Sequence, residues 1–353
     1  MGAQYQISVI PGDGVGREVV QVGIQVAEVL SRRHGFGLEL VEYPWSCEWY
    51  ASNGKMMPDD ALESLAETDA IYLGAVGYPG VPDHVSLWGL LLPIRQAFDQ
   101  YVNLRPIRSL KGIPTPLDPR KAPDLDILLV RENTEGEYVG IGGRCHQGTP
   151  NELATQTTVF TRRGVDRIVR YAFEQARSRS GRLASATKSN AMQYTSVMWD
   201  EVVEEVAREY PDVVVTSYLI DALAARFISS PETLDVVVAS NLFGDILADI
   251  GAVLMGSMGM AASANLNPAG TSPSLFEPVH GSAPDIAGRG MANPIGAVWS
   301  LAMMFDHLGE WEASRHAREA IDLVASEGPH TADLGGKART EEVGAAIVEA
   351  IGG

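Results

Sequence analysis

The chain has 353 residues, 45% of them hydrophobic, and carries 27 Lys and Arg against 45 Asp and Glu for a formal net charge of −18. Such a length supplies a substantial core in one large α/β unit or two domains, and the acidic balance, with no long basic run, excludes a nucleic-acid surface built on clustered cations. Two cysteines, Cys47 and Cys145, lack CxxC spacing, which excludes a disulfide framework or a zinc site and fits a reducing cytoplasm, with both thiols structural or incidental.

Residues Met1 to Gln6 lack the basic-then-apolar pattern of an export signal, so the strand read over Ile7–Ile10 belongs to the mature fold and no export is implied. The strand runs into Gly12-Asp13-Gly14-Val15-Gly16 and then a helix over Glu18–Leu30. This superficially resembles a dinucleotide fingerprint. Arg17 stands where the third glycine should be, however, and Asp13 would face a pyrophosphate unfavourably, so a tight turn is the better reading.

Further strands are read at Leu38–Glu42, Ala70–Leu73, Ile127–Val130, Leu183–Ala186, Val213–Ile220 and Val236–Ala239. Strands alternating with helical patterns predict an α/β architecture with much parallel sheet. Arg131, Lys188, Asp221 and Asn241 each follow one of these strands. Ligands of open α/β sheets bind outside the carboxyl ends of strands, so these groups are expected to converge on one cleft. A Pro-rich, basic passage from Arg105 to Lys121 and a Gly- and Pro-rich one from Met260 to Pro294 mark changes of region.

After Val236–Ala239 a helix is predicted whose Asp245 and Asp249 lie one turn apart on the same face. Hard oxygen ligands in this pattern suit Mg²⁺ or Mn²⁺ rather than zinc; the alternative is a first turn whose acids complement the helix dipole. From Ile250 to Phe276 there is no charged residue, but the apolar portion Ala252–Ala264 is shorter than the roughly 20 residues of a membrane span. It reads as a buried helix followed by a loop. The loop from Glu277 to Gly288, with Asn293-Pro294 beyond it, offers donors and flat polar groups to an adenine and its ribose; a surface loop is the alternative.

Taken in order, Ile10 to Gly16, Asn103-Leu104-Arg105-Pro106, Arg131-Glu132-Asn133-Thr134-Glu135-Gly136-Glu137-Tyr138, Thr187-Lys188-Ser189-Asn190, Asn241-Leu242-Phe243-Gly244-Asp245 and His280 to Asp285 closely resemble the β-decarboxylating dehydrogenase family of isocitrate, 3-isopropylmalate and tartrate/D-malate dehydrogenases. Ser86-Leu87-Trp88-Gly89, Phe98 to Asn103, Phe160 to Arg167 and Ala264 to Pro268 look like its tartrate/D-malate branch. The resemblance implies two α/β domains sharing a long mixed sheet, distinct from a Rossmann domain. Residues 1–106 and 260–353 would form a large cofactor-binding domain, and 107–259 a small domain with the dimer interface and the metal-binding aspartates.

The activity implied is oxidation of a small 2-hydroxy dicarboxylate with β-decarboxylation, dependent on NAD and on Mn²⁺ or Mg²⁺, with K⁺ a further candidate. It implies a homodimer with shared active sites and no membrane or nucleic-acid partner. Arg95, Arg105 and Arg131 would clamp the substrate, and bidentate guanidinium pairing fixes a carboxylate in position and plane. Asp245 and Asp249, with Asp221 from the other subunit, would hold the metal. Tyr138 and Lys188, the latter reaching across the dimer, would be the acid–base pair, assisted by Asp221. Gly74, Ala75, His280, Gly281, Ser282, Ala283, Pro284, Asp285, Ile286 and Asn293 would bind the cofactor. A carboxylate at Asp285 accepts from a ribose hydroxyl and repels a 2′-phosphate, and Ile286 donates nothing to one, which favours NAD over NADP.

For the substrate, Ser86 lies in the matching segment, but Ser86-Leu87-Trp88 lacks the Asn of the isocitrate-type pattern, which disfavours isocitrate. Leu90 and Pro93 replace the Ser and Lys expected of the tartrate/D-malate branch. A greasier pocket over Leu90, Leu91 and Leu92 would accept an isopropyl group, and such pockets discriminate weakly. 3-Isopropylmalate dehydrogenase activity is therefore the alternative within enzymes. A silent nucleotide-binding subunit is the alternative outside them, and it would be expected to lack Tyr138, Lys188 or a metal aspartate.

Overall fold

The computed structural model describes residues 2–117 and 125–352; Lys121, the end of the Pro-rich passage, lies outside them. Its strands are β1 (Gln4–Gly12), β2 (Gly37–Glu42), β3 (Ala70–Ala75), β4 (Val102–Arg108), β5 (Asp126–Glu132), β6 (Gly142–Cys145), β7 (Leu153–Gln156), β8 (Arg182–Thr187), β9 (Val214–Leu219), β10 (Val236–Ala239), β11 (Ala262–Leu266) and β12 (Ser274–Pro278). Ten form one sheet in the order β2-β1-β3-β12-β11-β4-β5-β10-β8-β9, and β6 and β7 form a separate hairpin.

The two flanks of the sheet are parallel, as their alternation with helices requires: β2, β1, β3 and β12 on one side, β5, β10, β8 and β9 on the other. Between them β12–β11, β11–β4 and β4–β5 pair antiparallel. The carboxyl ends of the flanks therefore point in opposite directions. The expected crevice beyond a common set of strand ends is replaced by a cleft over one face of the antiparallel centre.

Buried β-branched runs account for the parallel strands: Val236 to Ala239 of β10 are all fully buried, as a strand covered on both faces demands. The helix Val15–His34 presents Val19, Val22, Val26 and Leu30 to the core, the spacing of one helical face. The turn before it bends through left-handed Gly12 and Gly14. Asp13 between them is fully buried and accepts from the backbone N–H of Cys47 (2.9 Å), Glu48 (3.3 Å) and Gly77 (3.1 Å). It bonds the chain itself rather than a phosphate.

One expectation is corrected. The uncharged stretch from Ile250 to Phe276 begins as the end of a helix, Asn241–Met255, but it continues into β11 and the start of β12 rather than into a loop. Ser263, Asn265 and Ser274 have poor strand propensity, yet each is fully buried because neighbouring strands supply partners. No helix among the described residues is long and apolar enough to cross a membrane. A boundary between residues 106 and 107 falls inside β4. Cys47 is buried and Cys145, in the hairpin, is exposed.

Candidate active site

A polar row crosses the antiparallel centre of the sheet. Alternation puts Arg131 of β5, Asn103 and Arg105 of β4, Ser263 and Asn265 of β11 and Glu277 of β12 on one face. Arg105 Nε donates to Asn103 Oδ1 (2.9 Å), whose Nδ2 donates to Ser263 Oγ (2.7 Å) and Asn265 Oδ1 (2.9 Å). Asn265 Nδ2 and an Arg95 terminal nitrogen both donate to Glu277 Oε1 at 2.8 Å. The buried polar groups of the row thus satisfy one another within and between strands. Arg95 Nε is an exception, buried without a partner.

Over this row lies the helix Asn241–Met255. Asn241 Oδ1 accepts from Arg131 Nε (3.0 Å) and its terminal nitrogen (2.6 Å), and Asp245 Oδ1 accepts from Arg131 and from Arg105 (3.2 Å). Gly244 makes this approach possible: a Cβ there would lie 2.6 Å from Arg131 Cγ. Three buried guanidiniums, Arg95, Arg105 and Arg131, thus share two carboxylates, Glu277 and Asp245. Burial lowers the pKa of Arg105 and Arg131, and each is pushed further by neighbouring guanidiniums while Asp245 opposes the shift. An anion entering beside them would relieve that crowding of positive charge.

The Tyr138 hydroxyl lies 3.4 Å from Asp245 Oδ2, and the Arg131 guanidinium sits 5.9 Å from its ring. Burial raises the Tyr138 pKa, with Asp245 adding to the rise and Arg131 opposing it. The phenol is therefore protonated at neutral pH and equipped as a donor. Burial also pushes Asp245 up, but Arg131, Arg105 and Arg95 more than reverse this and hold it below the usual carboxylate range. Asp249 is raised, first by burial and then by the Asp245 charge.

A cavity of about 850 Å³ joins these groups to a second wall, within the size range of small-molecule and cofactor sites. Its lining includes Ser86, Leu91, Arg95, Arg105, Arg131, Tyr138 and Asp245 on one side, with Gly74, Ala75, His280, Gly281, Ser282, Ala283 and Pro284 on the other. Burial lowers the His280 pKa; its Nδ1 lies 3.0 Å from the Gly281 carbonyl oxygen and its Nε2 has no partner, so the ring is neutral with one free nitrogen at this second wall.

Other expected residues stand apart. Leu90 is fully buried in the core beside Ile10, Trp45 and Ile94, so of the three leucines only Leu91 and Leu92 reach the cavity. Helical spacing explains it: Leu87, Leu91 and Arg95, four residues apart, share the cavity face, while Leu90 and Ile94 share the buried one. Asp285 and Ile286 lie beyond the lining. Asn293 is engaged by Asp333 (3.1 Å) and by the Ile295 N–H (3.0 Å). Lys188 and Asp221 pair with each other where β8 and β9 end, away from the cavity. Among the described residues no three His, Cys, Asp or Glu side chains gather as a metal site; Asp245 and Asp249 are two carboxylates one helical turn apart without a third beside them.

Glu277, expected at the start of the loop to Gly288, stands instead in β12 and faces the arginines, and Asn103, Ser263 and Asn265 are site residues to which the sequence alone assigns no role. Their signal was the period-two spacing of Asn103 with Arg105 and of Ser263 with Asn265.

The model of the isocitrate/isopropylmalate dehydrogenase family matches residues 6–347. This chain belongs to that family. It is thereby an oxidoreductase, and its ten-stranded mixed sheet is the family fold. It is 53% identical to the D-malate dehydrogenase [decarboxylating] of Escherichia coli (strain K12), covering 98% of each chain, and 51% identical to the tartrate dehydrogenase/decarboxylase of Pseudomonas putida, again over 98% of each. Among solved structures, isocitrate dehydrogenase from Methylococcus capsulatus superposes with a TM-score of 0.89 at 34% identity, covering 98% of this chain and 99% of that one.

Proposed function

We propose that the protein oxidises D-malate or a tartrate with NAD and a divalent metal and decarboxylates the product. The observation that carries this reading is the convergence of Arg95, Arg105 and Arg131 with Tyr138 and Asp245 in one cavity whose other wall is the Gly74–Ala75 and His280–Pro284 backbone. Relatives named for D-malate and tartrate narrow the acid.

The guanidiniums hold the substrate carboxylates and orient the carbinol carbon toward the cofactor wall. Lys188 of a second copy, as the neutral amine, accepts the hydroxyl proton, and Asp221 beside it stabilises the ammonium that results. Loss of CO₂ from the resulting β-keto acid leaves an enol, and Tyr138 delivers the proton to its carbon. Asp245, Asp249 and the second copy's Asp221 would hold Mn²⁺ or Mg²⁺, which when bound polarises the hydroxyl and then the carbonyl oxygen. The fit rests on the donor set: two hard carboxylates one turn apart, the charge of Asp245 raising the cost of ionising Asp249. NAD, when bound along the glycine-rich wall, supplies the hydride acceptor; K⁺ is a further candidate cation.

A homodimer is part of the reading. Ile246 and Val253 are exposed on the helix Asn241–Met255, and Ile228 on Ile220–Ser229, an apolar surface suited to a second copy. Residues 1–106 with 260–353 make the cofactor unit and 107–259 the dimer unit, with the division better placed after Arg108, where β4 ends.

NADH formation with Mn²⁺ and K⁺ is the test, comparing D-malate, L-(+)-tartrate, meso-tartrate, 3-isopropylmalate and isocitrate. The highest kcat/KM belongs to D-malate or a tartrate. Preference for 3-isopropylmalate would assign the pocket to Leu87, Leu91 and Leu92 instead, and no turnover with any acid would overturn the reading.

A further inference from the structure

We infer that Trp88 is a positioning residue that holds Tyr138 in place through Gly140, an inference that rests on the reading of Tyr138 as the proton donor. Trp88 lies inside the π-helical turn Leu87–Leu91, a local departure that re-aims side chains. Its neighbours Leu90 and Leu92 are buried, yet Trp88 remains 40% exposed, so core packing does not account for it.

The indole lies against Gly140. A Cβ on Gly140 would sit 2.7 Å from Trp88 Cη2 and 3.0 Å from Cζ3, and the φ of +76° there is one that side chains rarely adopt. Only glycine fits both conditions. Gly140 is two residues after Tyr138, and the residue before Tyr138 is fixed as well: Gln156 of β7 donates its Nε2 to the Glu137 carbonyl at 2.8 Å. The backbone of Tyr138 is thus gripped from both sides. Its own side chain contributes little, since the hydroxyl contact with Asp245 is a long 3.4 Å and the ring is only partly buried.

Trp88 also joins the two halves of the chemistry. Ser86, Leu87 and Leu91 around it line the main cavity, while its ring shares a separate cavity of about 540 Å³ with Gly140 and the β6–β7 hairpin. This contact ties the segment that lines the main cavity to the loop that carries the phenol. A displacement of about 1 Å at a reacting group costs on the order of 100-fold in rate, so a loosened Tyr138 lowers kcat with little change in cofactor binding.

The experiment uses the full chain with NAD, Mn²⁺ and its best acid, in the variants W88A, W88F, Y138F and W88A/Y138F. W88A is expected to lower kcat by about tenfold or more while KM for NAD stays within about twofold and the unfolding midpoint is unchanged; W88F recovers most of the loss. In the Y138F background the W88A change costs less than about twofold, the mark of a residue acting through Tyr138. Wild-type kcat in W88A, or the same loss with and without Tyr138, overturns the inference while leaving Tyr138 as donor. Wild-type kcat in Y138F overturns the donor reading itself. Should Y138F turn over too slowly for the cycle, the ring variants decide: W88F no better than W88A overturns the inference.

Discussion

Asp245 meets two opposed demands. Burial favours its neutral form, while Arg131, Arg105 and Arg95 favour its charged form and prevail, so it keeps its charge as the pH falls below the usual carboxylate range. Asp249, one turn on, is denied comparable help: it is raised by burial and by the Asp245 charge. A divalent cation removes that repulsion. Asp249→Asn should therefore raise the Mn²⁺ concentration for half-maximal activity by about tenfold or more, since loss of even an outer-shell partner costs 10–100-fold. Mn²⁺ should also raise the unfolding midpoint of the parent chain and do so less for the variant; an unchanged Mn²⁺ requirement would remove Asp249 from the metal set. The Asp245–Asp249 pair was legible in the sequence because helical period alone makes them neighbours. The pairing of Arg131 with Asp245 and of Arg95 with Glu277 was not, because it depends on which strands lie side by side.

Among the elements of the large sheet, the parallel strands other than β12 were legible, and β4, β11 and β12 at its centre were not. A run such as Val236–Ala239 announces a strand buried on both faces, whereas β4 and β11 carry Asn103, Arg105, Ser263 and Asn265, residues that read as loop until a neighbour satisfies them. The burial of Leu90 was legible in principle, because three consecutive leucines cannot share one helical face and Leu90 pairs with Ile94 four residues on. The loop after β12 carries its own prediction. Asp285 is exposed and Arg289 reaches back to within 3.3 Å of its backbone carbonyl, so removing the carboxylate leaves a cation near the place where a 2′-phosphate would lie. Asp285→Ala should raise kcat/KM for NADP by about tenfold and lower that for NAD. Equal effects on both cofactors would show that Asp285 does not read the ribose.

At the scale of the whole molecule, Lys188 and Asp221 lie outside the cavity of their own chain. If they serve the site of a second copy, inactive Lys188→Ala and Asp249→Asn chains should regain activity when unfolded together and refolded as mixed dimers, because one of the two sites then receives only intact residues. Mixtures that stay as inactive as their parents would mean that each chain works alone. The sheet order also bears on how the protein is made. Strands β5, β8, β9 and β10 are contiguous in the chain and can pair as soon as they are synthesised, whereas β3 must wait for β12, which begins at Ser274, before its second edge is covered. Until then the polar row has no Glu277, and Arg95 has no buried carboxylate to meet. The flank that leaves the ribosome first is the one whose assembly is completed last, so the cavity wall at Gly74, Ala75 and His280 to Pro284 closes only late in synthesis.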